Sequence, residues 1–286
     1  MRLAWDMAGA GSRRVMALHG FTGHPRTWDR VQEFLPELTF VRVALPGHGE
    51  SPDAPPGQRG FAETIEALRH VADEHQPEAI LGYSLGARLA LALAIEHPRC
   101  VPRLVLESGT PGLADSIERA ARHERDEALA ASLLRQGIEA FVDRWEQQPV
   151  LAGLTRLPSS ERAVLRAQRL DCRPEGLAAS LRSVGAGVQP DYRARFAGVT
   201  APTLLLSGEL DAAYGALAAE MAKQLPRAVH RTIAGSGHTP HLEAPEAIAR
   251  ELSAFLQAGE AARDPLRGDR NETQVEPGQE ERRHRL

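Results

Sequence analysis

A chain of 286 residues is long enough for one large domain or for a core carrying an insertion. Its 42% hydrophobic and 25% charged residues are ordinary for a globular protein, and a net charge of -4 gives no sign of a nucleic-acid or membrane surface. No apolar run reaches the ~18 residues of a spanning helix, MRLAWDMAGAG lacks the apolar core of a signal peptide, and Cys100 and Cys172 make neither a disulfide framework nor a metal site. A cytoplasmic protein with no metal and no organic cofactor is expected.

The first third alternates strands and helices. RRVMALHGF and LTFVRVALP are short runs ending in Gly or Pro, as buried parallel strands do. FAETIEALRHVADEH places Ile65, Leu68 and Val71 at helical spacing, AILGYS is another strand, and LGARLALALAIEHP is a helix apolar nearly all round, hence buried. VPRLVLESGTPG is the next strand. From Leu113 to Gln189 the pattern becomes helical and rich in Arg and Glu; APTLLLSGELD, AAYGALAAEMAKQL, AVHRTIAGSGH and PEAIARELSAFLQA then resume the alternation. The fold class is therefore α/β, a mostly parallel sheet flanked by helices. Residues 1–112 and 190–258 form the core, and 113–189 form a helical cap inserted after the sixth strand. Residues 259–286, dense in charge, form a disordered tail.

Strand, then Gly82-Tyr83-Ser84-Leu85-Gly86, then helix is the context of a nucleophile elbow, whose tight turn projects the serine at the sheet's C-terminal edge. A serine hydroxyl needs a histidine to take its proton. Asp211 ends the strand in LLLSGELD and His238 follows the strand in IAGSGH, so both fall on the edge that carries Ser84. Asp211 would orient His238. Glu209 and His241 are the competing acid and base. The backbone N–H groups of Phe21, in LHGFTG, and of Leu85 would form an oxyanion hole. His19 reads as a loop brace, and LPGHGES as a supporting turn.

Arg88 lies one helical turn behind Ser84 and can point toward the pocket. In the helical segment Arg119 and Arg122 form one pair and Arg166 and Arg169 another, with Trp145 its only tryptophan. Arginine binds carboxylates through a planar two-donor fork, so this set suggests a small substrate with several carboxylates. Lys223 is the only lysine among 34 basic residues, a codon bias that lowers the weight of any one arginine.

LHGFTG, LPGHGES, LGYSLGARLAL, ESGTPGL, ERAARHERD, WEQQPV, GAGVQP, GELD and GSGH together resemble the 2-succinyl-6-hydroxy-2,4-cyclohexadiene-1-carboxylate (SHCHC) synthases of menaquinone biosynthesis, lyases of the α/β-hydrolase fold. The resemblance runs from about residue 15 to 258 and is most specific in WEQQPV, ESGTPGL and GAGVQP. It implies a substrate bearing ring, succinyl and enolpyruvyl carboxylates. By position the carboxylate-binding arginines fall on Arg88, Arg122 and Arg169, with Arg166 an alternative to the last, and Tyr83 and Trp145 match pocket positions. It implies that Ser84, activated by His238 and Asp211, acts as a base that starts elimination of pyruvate. Ala87 and Ala44 depart from the family's usual glycine and aspartate. A serine hydrolase of the same fold, acting on esters, lactones or C–C bonds, would carry the same triad.

Overall fold

The computed structural model describes residues 1–261. Seven strands form one sheet in the order β1-β3-β2-β4-β5-β6-β7. These are β1 (Trp5–Ala8), β2 (Arg13–Leu18), β3 (Leu38–Val43), β4 (Ala79–Tyr83), β5 (Leu104–Glu107), β6 (Thr203–Gly208) and β7 (Ala228–Ile233). All neighbours run parallel except β1, which pairs antiparallel with β3. The four-residue β1 lies in the stretch WDMA, which has no apolar run to announce it.

The helices in chain order are α1 (Asp29–Gln32), α2 (Gly57–His75), α3 (Leu85–Glu96), α4 (Ser116–Trp145), α5 (Ser159–Leu170), α6 (Pro174–Val184), α7 (Ala212–Gln224), α8 (Pro240–Glu243) and α9 (Pro245–Ala261). One face of the sheet packs on α2, α3 and α7 through Ile65, Leu68, Val71, Leu89, Leu93 and Met221. The other packs on α1, the turn before it and α9 through Trp28, Val31, Ile248 and Leu252. Each fully buried Leu or Ile contributes about 1.5–3 kcal/mol, so the two layers hold the strand ends in fixed register. α3 is buried nearly throughout, as its all-round apolar sequence requires.

The helical segment leaves the sheet after the fifth strand of the chain, not after the sixth, because the described sheet has five strands before it. α4, α5 and α6 make it up, with a 3-10 turn at Pro149–Arg156. α4 is broken at Gly137, whose φ of 80° is open to glycine without penalty. Leu133, Phe141, Val142, Cys172 and Leu177 form a small core of its own, and Phe21, from the turn after β2, packs against it. α9 runs to Ala261, just past the expected end of the core at 258, and the rest of the expected tail lies outside the described residues.

Candidate active site

β4 is central, between β2 and β5, and the chain's strand order changes direction between β2 and β4. A crevice opens at such a switch point, beyond the carboxyl ends of the strands. Ser84 sits there directly after β4 with φ 49° and ψ −104°, a strained conformation for a residue with a Cβ. The turn closes only because its flanks are glycine. A Cβ on Gly82 would run into the Gly86 carbonyl, and one on Gly86 into the Leu18 carbonyl. The departure at Ala87 is absorbed nearby: its methyl faces Gly109, where an added Cβ would come within 2.8 Å of it.

His238 follows β7 and Asp211 follows β6, so neighbouring strand ends deliver both to the serine. His238 Nε2 is 3.4 Å from Ser84 Oγ, and His238 Nδ1 is 2.7 Å from Asp211 Oδ2. With Nδ1 donating to the carboxylate, Nε2 is left as the acceptor facing the serine. Asp211 also caps α7, accepting from the Tyr214 N–H. The two competitors are occupied elsewhere. Glu209 accepts from the Gly235 N–H. His241 is fully buried, with Nδ1 2.6 Å from Glu107 Oε1 and Nε2 2.9 Å from Thr27 Oγ1.

Leu85 is the first residue of α3, where an N–H has no acceptor within the helix. Phe21 lies across the crevice in the turn after β2, and both residues line the cavity. That turn is braced by histidines. His19 Nε2 accepts from the Leu45 N–H, and His48 Nε2 accepts from the Thr22 N–H. Burial pushes His48 down to about 4 and His19 well below the ordinary histidine range, so both serve as neutral acceptors. The supporting turn is further tied by Ser51, which donates to the Ala44 carbonyl and accepts from the Ala4 N–H.

The cavity above Ser84 has a volume of about 650 Å³. Tyr83, Arg88, Arg122, Trp145 and Arg169 all line it, while Arg119 and Arg166 do not. Arg166 instead spans Asp143 and Glu146 on the outer side of the helical segment. Trp145 stacks on Phe141 and meets the edge of Phe21, forming an aromatic wall. Arg122 pairs with Asp126, and Arg169 with Glu146. Arg88 has no carboxylate partner among the described residues; it donates to the Val184 carbonyl and to Gln189 Oε1. Burial and then the Arg122 guanidinium pull it down to about 10, which still leaves it charged at neutral pH.

Several polar residues of the site were not singled out by the sequence, four of them with evident roles. Arg125, one turn from Arg122 on α4, and Tyr214, at the start of α7, line the cavity. Glu107 accepts the His241 N–H and ring, and its own carbonyl accepts the Ser84 N–H. Glu243 accepts from the N–H groups of Gly237 and Thr239, on either side of His238, and pairs with Arg156. The sequence signal for Glu107 is a glutamate ending the apolar strand LVLE, where a charge has no place unless it is paired. Among the described residues no cluster of His, Cys, Asp and Glu could hold a metal ion, and no helix is long and apolar enough to cross a membrane.

A mostly parallel sheet with a serine on a strained strand-to-helix turn, in contact with a histidine and an aspartate from later strand ends, defines the class of the alpha/beta hydrolases, and the model of the alpha/beta hydrolase family matches residues 15–251. The 2-succinyl-6-hydroxy-2,4-cyclohexadiene-1-carboxylate synthase of Citrobacter koseri is 36% identical over 249 residues, 86% of this chain and 95% of that protein. A Bacillus subtilis protein, whose name offers the same synthase as a provisional assignment, is 38% identical over 86% of this chain and 90% of its own length. The solved structure of MenH from S. aureus is similar with a TM-score of 0.83 and 30% identity, covering 90% of this chain and 98% of that one. The chain belongs to the alpha/beta hydrolase family and, within it, to the family of these synthases.

Proposed function

We propose that this protein eliminates pyruvate from 2-succinyl-5-enolpyruvyl-6-hydroxy-3-cyclohexene-1-carboxylate to give SHCHC, with Ser84, His238 and Asp211 acting as a general base. Arg88 is the observation that carries the reading. A buried guanidinium beside a second cation, without a carboxylate of its own, is costly until an anion arrives, and it lies one turn behind the serine. Arg122 and Arg169 supply further charge for a substrate with three carboxylates, and the segment 113–189 acts as the cap that brings them over the serine. Two curated relatives carrying the synthase name, and the strand-to-helix serine, support the same conclusion.

In this mechanism Ser84 Oγ takes the proton next to the succinyl ketone while His238 Nε2 takes the hydroxyl proton of the serine. Asp211 holds the imidazole and stabilises the imidazolium that forms. Negative charge moves to the ketone oxygen, where the Phe21 and Leu85 N–H groups face it. The electron pair then passes through the ring alkene and breaks the C–O bond to the enolpyruvyl group. Pyruvate leaves as its enolate and recovers a proton, so no acyl-enzyme forms. The protein would be supplied with its substrate by the upstream enzyme in one cuvette, with pyruvate release and diene absorbance followed together. Both should appear together in a Ser84-dependent reaction. Cleavage of p-nitrophenyl esters, without acceleration of pyruvate release, would instead indicate a hydrolase.

A further inference from the structure

Tyr214 has no part in the mechanism above, yet it faces the same cavity. It is the third residue of α7, and its position is set by Asp211, which accepts its N–H while holding His238 with the other oxygen. Its ring meets the His238 ring edge-on at 4.3 Å between centroids, closer than Tyr83 at 5.6 Å. Leu217, one turn along, lines the cavity beside it, so this face of α7 forms a wall of the pocket. Among the described residues the Tyr214 hydroxyl has no hydrogen-bond partner, although the ring is half-buried. A phenol that serves only as packing surface gains nothing from such a hydroxyl, and a half-buried one ordinarily finds a partner.

We infer that the Tyr214 hydroxyl donates to a substrate carboxylate that also engages Arg88, making it a further binding residue of the synthase site. Charge around the hydroxyl favours that role. Burial raises Tyr214 above the ordinary phenol range while Arg88 and Arg122 pull the other way, so the hydroxyl is protonated at neutral pH and lies within the field of both guanidiniums. A planar guanidinium supplies two donors to a carboxylate, and the remaining lone pairs can accept from a hydroxyl. Arg88 is itself held by Val184 and Gln189, which fixes the direction of its remaining N–H groups. The assignment rests on the polycarboxylate substrate proposed above, and its test separates the two.

Tyr214→Phe keeps the ring against His238 and removes only the hydroxyl. Its KM for the enolpyruvyl cyclohexene substrate should rise about tenfold, with kcat within twofold of the parent, because a hydrogen bond to a charged group is lost. Calorimetric titration with propane-1,2,3-tricarboxylate, on parent and variant alike, gives a readout independent of turnover and should show a similar loss of affinity. A Phe variant that matches the parent in KM and in tricarboxylate binding would reduce Tyr214 to packing and overturn the inference. A fall in kcat alone, with both binding measures unchanged, would also overturn it. If the parent fails to release pyruvate but the tricarboxylate binding still falls in the variant, the carboxylate subsite stands and the lyase reading falls.

Discussion

The two walls of the cavity are built on opposite principles. The serine wall comes from short turns at the ends of buried parallel strands, each fixed by backbone geometry and by neutral buried acceptors such as His19 and His48. The arginine wall comes from amphipathic helices with a core of a few residues, where ion pairs such as Arg169 with Glu146 hold the charges, and from Arg88, which reaches it from α3 and donates to the Val184 carbonyl at the end of α6. In the proposed mechanism the proton transfer, for which Ser84 and His238 stand 3.4 Å apart, sits on the serine side. The proposed recognition of carboxylates, which tolerates longer reach, sits on the arginine side.

That contrast predicts how each wall fails. His238→Ala should lower turnover on the order of 10³-fold at saturating substrate while KM changes little, since it removes the base and no carboxylate contact. A KM effect larger than the kcat effect would place His238 among the binding groups instead.

The serine wall should also be the acid-sensitive one. His48 is held near 4 by burial but is free to titrate normally in the unfolded chain, near 6.5. Between those values the unfolded state binds the extra proton, so this contribution is whole above pH ~6.5 and is lost as pH falls toward 4. The full loss from this one histidine is on the order of 3 kcal/mol. Chemical denaturation of the parent and of His48→Gln across that range should show a steeper decline in the parent. Parallel curves would mean that His48 is not neutral in the folded protein.

On the arginine wall the effects are graded by position. Arg169→Ala should raise KM by about 10-fold, as expected for a hydrogen-bonded charge contact. Arg166→Ala, whose pairs with Asp143 and Glu146 are on the outer surface, should change KM less than about twofold. Added salt should raise KM in the parent and less so in Arg169→Ala. Equal effects of the two substitutions would show that Glu146, which both contact, rather than Arg169 itself, governs binding.

The same contrast explains what the sequence made legible. Ser84, Asp211 and His238 were readable because strand, turn and helix signals are local, and a chain that alternates them has few ways to close a parallel sheet. Arg88 was readable from its spacing behind the serine. The direction of a surface arginine is not local. Arg166 and Arg169 lie three residues apart on α5 and both pair with Glu146, yet only Arg169 lines the cavity above Ser84, a difference that their spacing in the sequence does not reveal. The apolar pattern shows four strands before the helical segment; β1, in WDMA, has no apolar run to add it to the count, and no strand corresponds to the sixth that was expected there. Glu107 and Glu243 escaped notice because their work is done on backbone N–H groups of a distant loop.

The most direct test of the division between the two walls is one variant assayed on two substrates. Arg88→Ala would be compared with the parent for pyruvate release from the enolpyruvyl cyclohexene and for hydrolysis of a small uncharged p-nitrophenyl ester. The account predicts that kcat/KM for pyruvate release falls about 10- to 100-fold, while any Ser84-dependent ester hydrolysis stays within about twofold of the parent. Equal losses on both substrates would mean that Arg88 supports the serine turn itself, and unchanged pyruvate release would mean that the arginine wall does not choose the substrate.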